Sequence, residues 1–199
     1  MPMRTARGFT LIELMVTVGV LAILAAIAAP AMGDFIRRGN VTAQTNELIG
    51  TFRFARSTAV TRSVIVSVCP STNATTTSPS CASSNVFNTG WLVYTAKASN
   101  TAYDAAKGEV LRAETDLPNV SIQAPTGTSI VSFDGRGSSM SGATTFLLCA
   151  KAASDTVGKS SPRSPGQLIT LQAGGRAGAA ALATATDSST ATAKCKPAS

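Results

Sequence analysis

The chain has 199 residues, 44% of them hydrophobic but only 5% aromatic, with a formal net charge of +7 and no histidine. That length holds one ordinary globular domain plus an anchor, with no room for a second large core. Without histidine the usual general base and the commonest partner of cysteine at zinc are both missing, so neither histidine-based catalysis nor a zinc site is expected.

Arg4 and Arg7 precede Gly8, and Gly8-Phe9-Thr10-Leu11-Ile12-Glu13-Leu14 opens an apolar run that carries no charge from Leu14 to Met32. Phe9 to Met32 would span about 36 Å as a helix, against ~30 Å for a bilayer's hydrocarbon core. A secretory signal peptide would have a shorter core, no acid inside it and a small-residue cut behind it. A plain anchor leaves Glu13 unexplained, because an intramembrane carboxylate costs roughly 2 to 10 kcal/mol or more. Orientation is not settled by flanking charge, since Arg4 and Arg7 are balanced by Arg37 and Arg38, with Asp34 beside them. Pro30 lacks an N–H and clashes with the preceding turn, which predicts a kink there, eased by Gly33.

After Gly39 the helical period resumes. Val41, Thr45, Leu48, Phe52, Ala55 and Ala59 recur at alternating four- and three-residue steps, one stripe suited to packing on a sheet. Arg38, Glu47, Arg53, Arg56 and Arg62 lie elsewhere on the wheel, and the arginines are expected on a solvated face.

Beyond Thr61 the period changes to two. Strands are predicted at 63–68, 91–95, 109–112, 120–123, 129–133, 144–149 and 167–172, separated by Gly, Pro, Asn and Ser turns. Asp134-Gly135-Arg136-Gly137 is a turn by its chemistry. Seven short strands predict an antiparallel β-sandwich or a pair of small sheets. The fold class is therefore α+β, a long N-terminal helix with an antiparallel β-rich head.

Cys69, Cys81, Cys149 and Cys195 contain no CxxC pair, so they read as two disulfides of an oxidising compartment. Three connectivities are open. Cys69–Cys81 with Cys149–Cys195 is favoured, because the first closes the polar loop 70–80 and the second would pin a tail with little else to hold it. The stretch from Ala177 to Thr192 is Ala, Thr, Ser and Gly, too poor in apolar atoms for a core, and is expected as a mobile loop tethered by Cys195. The carboxylates Asp104, Glu109, Glu114, Asp116 and Asp134 show no paired spacing, and no enzyme activity, metal or cofactor is expected.

The segment Gly8 to Leu14 resembles the class III signal of type IV pilins and type II secretion pseudopilins almost letter for letter. The resemblance implies cytoplasmic cleavage between Gly8 and Phe9 by prepilin peptidase, and N-methylation of Phe9. It also implies that Glu13 faces the α-amino group at Phe9 of a neighbouring subunit, the partner the carboxylate lacks. A paired buried charge is tolerable where a lone one is not.

The order Phe-Ala-Arg-Ser-Thr-Ala-Val (54–60), Val-Ser-Val-Cys-Pro-Ser (66–71), Gly-Trp-Leu-Val-Tyr (90–94), Val-Leu-Arg (110–112), Phe-Asp-Gly-Arg-Gly (133–137) and Phe-Leu-Leu-Cys (146–149) is similar to the GspH/FimT family. The cysteine pattern is nearer its pilus members FimT and FimU than its secretion member GspH. The family implies a leader at 1–8, a transmembrane or filament-core helix at 9–32, its amphipathic continuation at 33–62 and a β-rich head at 63–199. It implies a single-pass inner-membrane protein with a periplasmic head, then a filament subunit among other pilins or pseudopilins, with prepilin peptidase and membrane lipid as further partners. The expected role is a minor pilin of the type IV pilus at initiation or the tip, with a secretion pseudopilin as the alternative and, from another class, a DNA-binding receptor at the pilus tip in natural transformation. Some members bind DNA through Gly-Arg-x-Arg; here Gly175-Arg176-Ala177-Gly178 keeps only the first arginine. The resemblance thus adds DNA as a candidate partner through Arg176, Lys194 and Lys196, with Lys159 and Arg163 nearby. The competing reading of Arg176 is a turn residue.

Overall fold

The computed structural model describes residues 9–115 and 117–197, with the side chains of 27–31 outside that description. The leader, including Arg4, Arg7 and Gly8, and the carboxylate of Asp116 lie outside the described residues. The elements are α1 (Leu11–Arg62), β1 (Ile65–Pro70), β2 (Trp91–Ala96), β3 (Val110–Glu114), β4 (Val120–Gln123), β5 (Val131–Phe133), β6 (Thr144–Ala150), β7 (Gln167–Leu171), β8 (Ala177–Ala181) and α2 (Ser188–Ala193). The chain divides into two compact units, 1–36 and 37–199.

In the first unit α1 starts at a threonine cap. Thr10 Oγ1 accepts from the Glu13 N–H at 3.3 Å, and the Thr10 carbonyl accepts from Leu14 N–H at 3.2 Å. Leucine, isoleucine, valine and methionine then occur on every side of the helix, with no polar stripe. Among the described residues no helix is long and apolar enough to cross a membrane; the described side chains of this run stop at Ala26 and resume at Met32. The kink expected at Pro30 falls among side chains outside the description, while helical backbone continues through it.

In the second unit the predicted stripe is the buried one. Val41, Thr45, Leu48, Phe52, Ala55 and Ala59 are all buried. Ser63, at φ 51, ends the helix in the left-handed region, and Val64 N–H reaches back to the Ala59 carbonyl as the chain turns into β1.

Two four-stranded antiparallel sheets follow, in the orders β3-β2-β1-β5 and β4-β6-β7-β8. Their inner side chains meet those of α1 in one core that includes Val66, Trp91, Val93, Ile122, Leu148 and Ile169. Phe52 of α1 joins the two sheets. Its ring lies 6.3 Å from Phe133 on β5 and 5.1 Å from Phe146 on β6, and Phe87 meets Phe146 edge-on at 5.3 Å. The other face of the first sheet carries a smaller core of Cys69, Ala74, Leu92 and Tyr94. Burial there pushes the Tyr94 phenol up to about 12.

The loop expected from Ala177 to Thr192 is a correction. Residues 177–181 form β8, paired rung by rung with β7 from Leu171↔Ala177 to Gln167↔Ala181, and 188–193 form α2. Backbone pairing with β7 needs no large side chain, so an edge strand of alanine and glycine forms where composition predicts none. Asp187 caps α2, its carboxylate accepting from Thr190 N–H at 2.8 Å.

Candidate functional site

The N-terminal unit presents its apolar residues to the outside. Phe9, Leu11, Ile12, Met15, Leu21 and Ile23 are all more than 60% exposed. Nothing described within the chain covers this surface, and an exposed apolar surface of this extent marks an interaction site. Glu13 stands in the first turn, where the helix N-terminus favours a negative charge. Thr10-x-x-Glu13 also has the spacing of a capping box, a signal visible in the sequence. Among the described residues no cation pairs with Glu13.

In the head, both disulfides take the favoured connectivity, Cys69–Cys81 and Cys149–Cys195. The second holds α2 against β6, helped by Ser160 N–H donating to the Ala191 carbonyl at 3.0 Å. Carboxylates are mostly committed to nearby donors. Arg112 on β3 bridges Glu47 of α1 at 2.6 Å and Glu114 at 3.1 Å, and Arg62 meets Glu109 at 2.9 Å. Arg62 is thus not merely solvated. Lys107 beside Asp104 holds that carboxyl below its ordinary value.

The sequence-predicted basic residues do not gather at one place. Arg176 sits in the turn joining β7 to β8, after Gly175 in the left-handed region at φ 74. Lys194 caps the end of α2, and α2 is tied to Ser160 and Cys149 at the far end of the β7–β8 hairpin. That hairpin alone spans roughly 14 Å. Lys194 and Lys196 therefore belong to the α2 end, together with Lys159, and Arg176 is separated from them.

Gly175, the residue before Arg176, lies beside an arginine of α1 that sequence reading did not connect with it. Arg56 donates from Nε to the Gly137 carbonyl at 2.9 Å, and a Cβ on Gly175 would lie 3.2 Å from that same nitrogen. The turn 134–137 is built as predicted, with the Asp134 carboxylate accepting from Arg136 N–H at 3.0 Å and Ser138 N–H at 2.8 Å. Arg53, Arg56 and Arg136 line one shallow groove between α1 and this turn. Contacts across 81 residues of sequence leave no local pattern to read. Among the described residues no three metal-ligating side chains stand together.

Residues 44–175 match the family described as type II transport protein GspH, and residues 3–29 match the prokaryotic N-terminal methylation motif. The chain is 48% identical over 46 residues to the type IV major alpha-pilin of Moraxella bovis, covering 23% of this chain and 29% of that protein. It is 42% identical over 65 residues to a fimbrial protein of Pseudomonas aeruginosa, covering 33% and 42%. The chain thus spans less than half the length of these curated relatives. Its fold is similar to that of the Pseudomonas aeruginosa type IV minor pilin FimU, with a TM-score of 0.52, 16% identity, and coverage of 72% of this chain and 90% of that one. A pilin-type methylation motif, a helix laid on two antiparallel sheets and a family match over most of the head place the chain in the GspH family of type IV minor pilins and pseudopilins.

Proposed function

We propose that this chain is a minor subunit of a type IV pilus, acting where the filament is initiated or at its tip. The observation that supports this best is the uncovered apolar first stretch of α1, with one carboxylate in its first turn just after Phe9. Prepilin peptidase cuts between Gly8 and Phe9, and Phe9 is then N-methylated. Before assembly residues 9–32 lie in the inner membrane with the head in the periplasm; afterwards they pack among the helices of other pilins. In both settings the apolar surface leaves water, which offsets the cost of exposing it.

Glu13 is half of a contact completed by another chain. The freed α-amino group at Phe9 of a neighbour supplies the cation, and a carboxylate–ammonium pair in a water-poor helix bundle sets register. The head, closed by two disulfides, presents its surface to other minor subunits.

Mass spectrometry of the mature N-terminus should find methylated Phe9, and shearing the cells should recover the chain with surface pili. Deleting it should reduce piliation and leave type II secretion intact. Loss of secretion with normal pili would transfer the reading to a pseudopilin of the GspH type.

A further inference from the structure

The head's charges are unevenly settled. Glu47 and Glu114 hold Arg112, Glu109 holds Arg62, Asp104 holds Lys107, Asp134 is spent on backbone N–H groups, and Asp187 caps α2. Arg53, Arg56, Arg136 and Arg176 have no carboxylate within ion-pair distance among the described residues. Two chain segments, α1 and the 134–137 turn, bring the first three to one seam. Arg53 and Arg136 line the groove with Arg56, which is pinned to Gly137, and Gly175 packs against Arg56 immediately before Arg176. Guanidinium groups gathered without counter-charge repel one another, so the seam is stabilised when something anionic covers it.

The seam is also where the head is apolar outside. Among the described residues of the head, Phe54 at 37%, Val60 at 46%, Val64 at 36% and Met140 at 43% are the exposed large hydrophobic side chains. Phe54 and Val60 lie on the last turns of α1, Val64 follows two residues after its end, and Val60 lines the arginine groove itself. Arginine mixed with aromatic and aliphatic side chains is the composition of a protein interface.

We infer that the face formed by residues 53–62 of α1, the adjoining Val64 and the 134–137 turn docks an acidic face of a different subunit. Carboxylates of that subunit would meet the guanidiniums, where planar, two-pronged pairing is strong. Phe54, Val60 and Val64 would be buried beside them. Nucleic acid fits less well, because phosphates would satisfy the arginines and leave the two valines wet. A second copy of this chain fits less well too, because the head's described carboxylates are engaged except Asp155, which lies in the separate cleft of Arg37, Lys151 and Lys159. The inference rests on the filament reading above.

The test uses the full-length chain in its own cells, with a photo-crosslinking residue at Ser57, which lies exposed in the groove. The expected result is one crosslinked subunit of different sequence, with the crosslink mapped to an acidic segment. Arg53→Glu with Arg136→Glu should cut the yield at least tenfold. Neither side chain makes a hydrogen bond within the described head, and the retained Cys69–Cys81 and Cys149–Cys195 bridges check folding. Replacing the mapped acids by lysine in the partner should restore the crosslink. An unchanged yield in the double variant overturns the inference, as does a crosslink to a second copy. So does a salt-sensitive shift of double-stranded DNA that the double variant abolishes. If the chain is recovered with sheared filaments but gives no Ser57 crosslink, the interface alone fails. If it is absent from filaments, the filament reading fails and takes the interface with it.

Discussion

Trp91 on β2 donates its indole N–H to the hydroxyl of Thr51 on α1, 3.3 Å away, with both residues fully buried. This polar contact lies inside the apolar seam between the helix and the first sheet and fixes how the two meet. A buried indole N–H without an acceptor loses its hydration and gains nothing in return. Thr51→Val keeps the shape and removes the acceptor, and should cost about 1–3 kcal/mol. Urea unfolding of the oxidised chain should show the midpoint falling at unchanged slope. An unchanged midpoint would mean that another acceptor replaces the hydroxyl.

The two disulfides should differ in what they hold. Cys69–Cys81 closes a separation of 12 residues and Cys149–Cys195 one of 46, for which the chain-entropy model gives about 3 and about 4 kcal/mol. Replacing Cys149 and Cys195 together by serine should release α2 while leaving the β7–β8 hairpin paired, because five backbone rungs hold that hairpin independently of the bridge. Limited trypsin digestion should then cut first at Lys194, since Pro197 blocks cleavage after Lys196. Protection equal to that of the parent chain would show that backbone bonds alone fix the tail.

The tail also marks where sequence reading stops. The α1 stripe from Val41 to Ala59 and the strand Val120–Gln123 were legible because their apolar residues keep the period of the element that buries them. Ala177–Ala181 has no such period and no β-branched residue; it is a strand only because β7 has an open edge beside it. The Asp187-x-x-Thr190 cap was readable as a helix start, but Ala/Thr-rich composition hid it. The arginine seam was not readable at all. Arg53 and Arg56 come from a helix and Arg136 from a turn after β5, and only the fold brings them together.

The α2 cap should respond to acid in a definite window. Hydrogen bonds from Thr190 N–H and the Ser189 hydroxyl hold the Asp187 carboxyl down to about 2, from an ordinary 3.8. A depressed carboxyl contributes its full stabilisation above the unfolded value and loses it as pH falls through the folded one. Protection of the Thr190 amide, the slowing of its exchange relative to that of a free peptide at the same pH, should therefore be constant above about pH 4 and fall as pH drops toward about 2. Asp187→Asn retains a capping acceptor without the titration and should show no such window. Identical behaviour of the two chains would remove the carboxylate from the account.

Glu13 has two physical explanations that one substitution separates. Thr10 Oγ1 already accepts from the Glu13 N–H, so the side chain of Glu13 could simply return the favour to its own helix start. Glutamine performs that service nearly as well as glutamate, whereas it cannot neutralise an ammonium group. If Glu13 serves only its own helix, Glu13→Gln should enter filaments normally and Glu13→Ala should be mildly impaired. If Glu13 meets the α-amino group at Phe9 of a neighbour, both variants should be cleaved after Gly8 as usual and both should fall by tenfold or more in the sheared filament fraction. The second outcome is expected here. A carboxylate that needed only a cap would be an expensive choice in the middle of an apolar surface, since a neutral side chain caps without the several kcal/mol of ionic desolvation. Quantifying mature chain in the filament and membrane fractions decides between them, because loss of cleavage, loss of insertion and loss of assembly leave the chain in three different places.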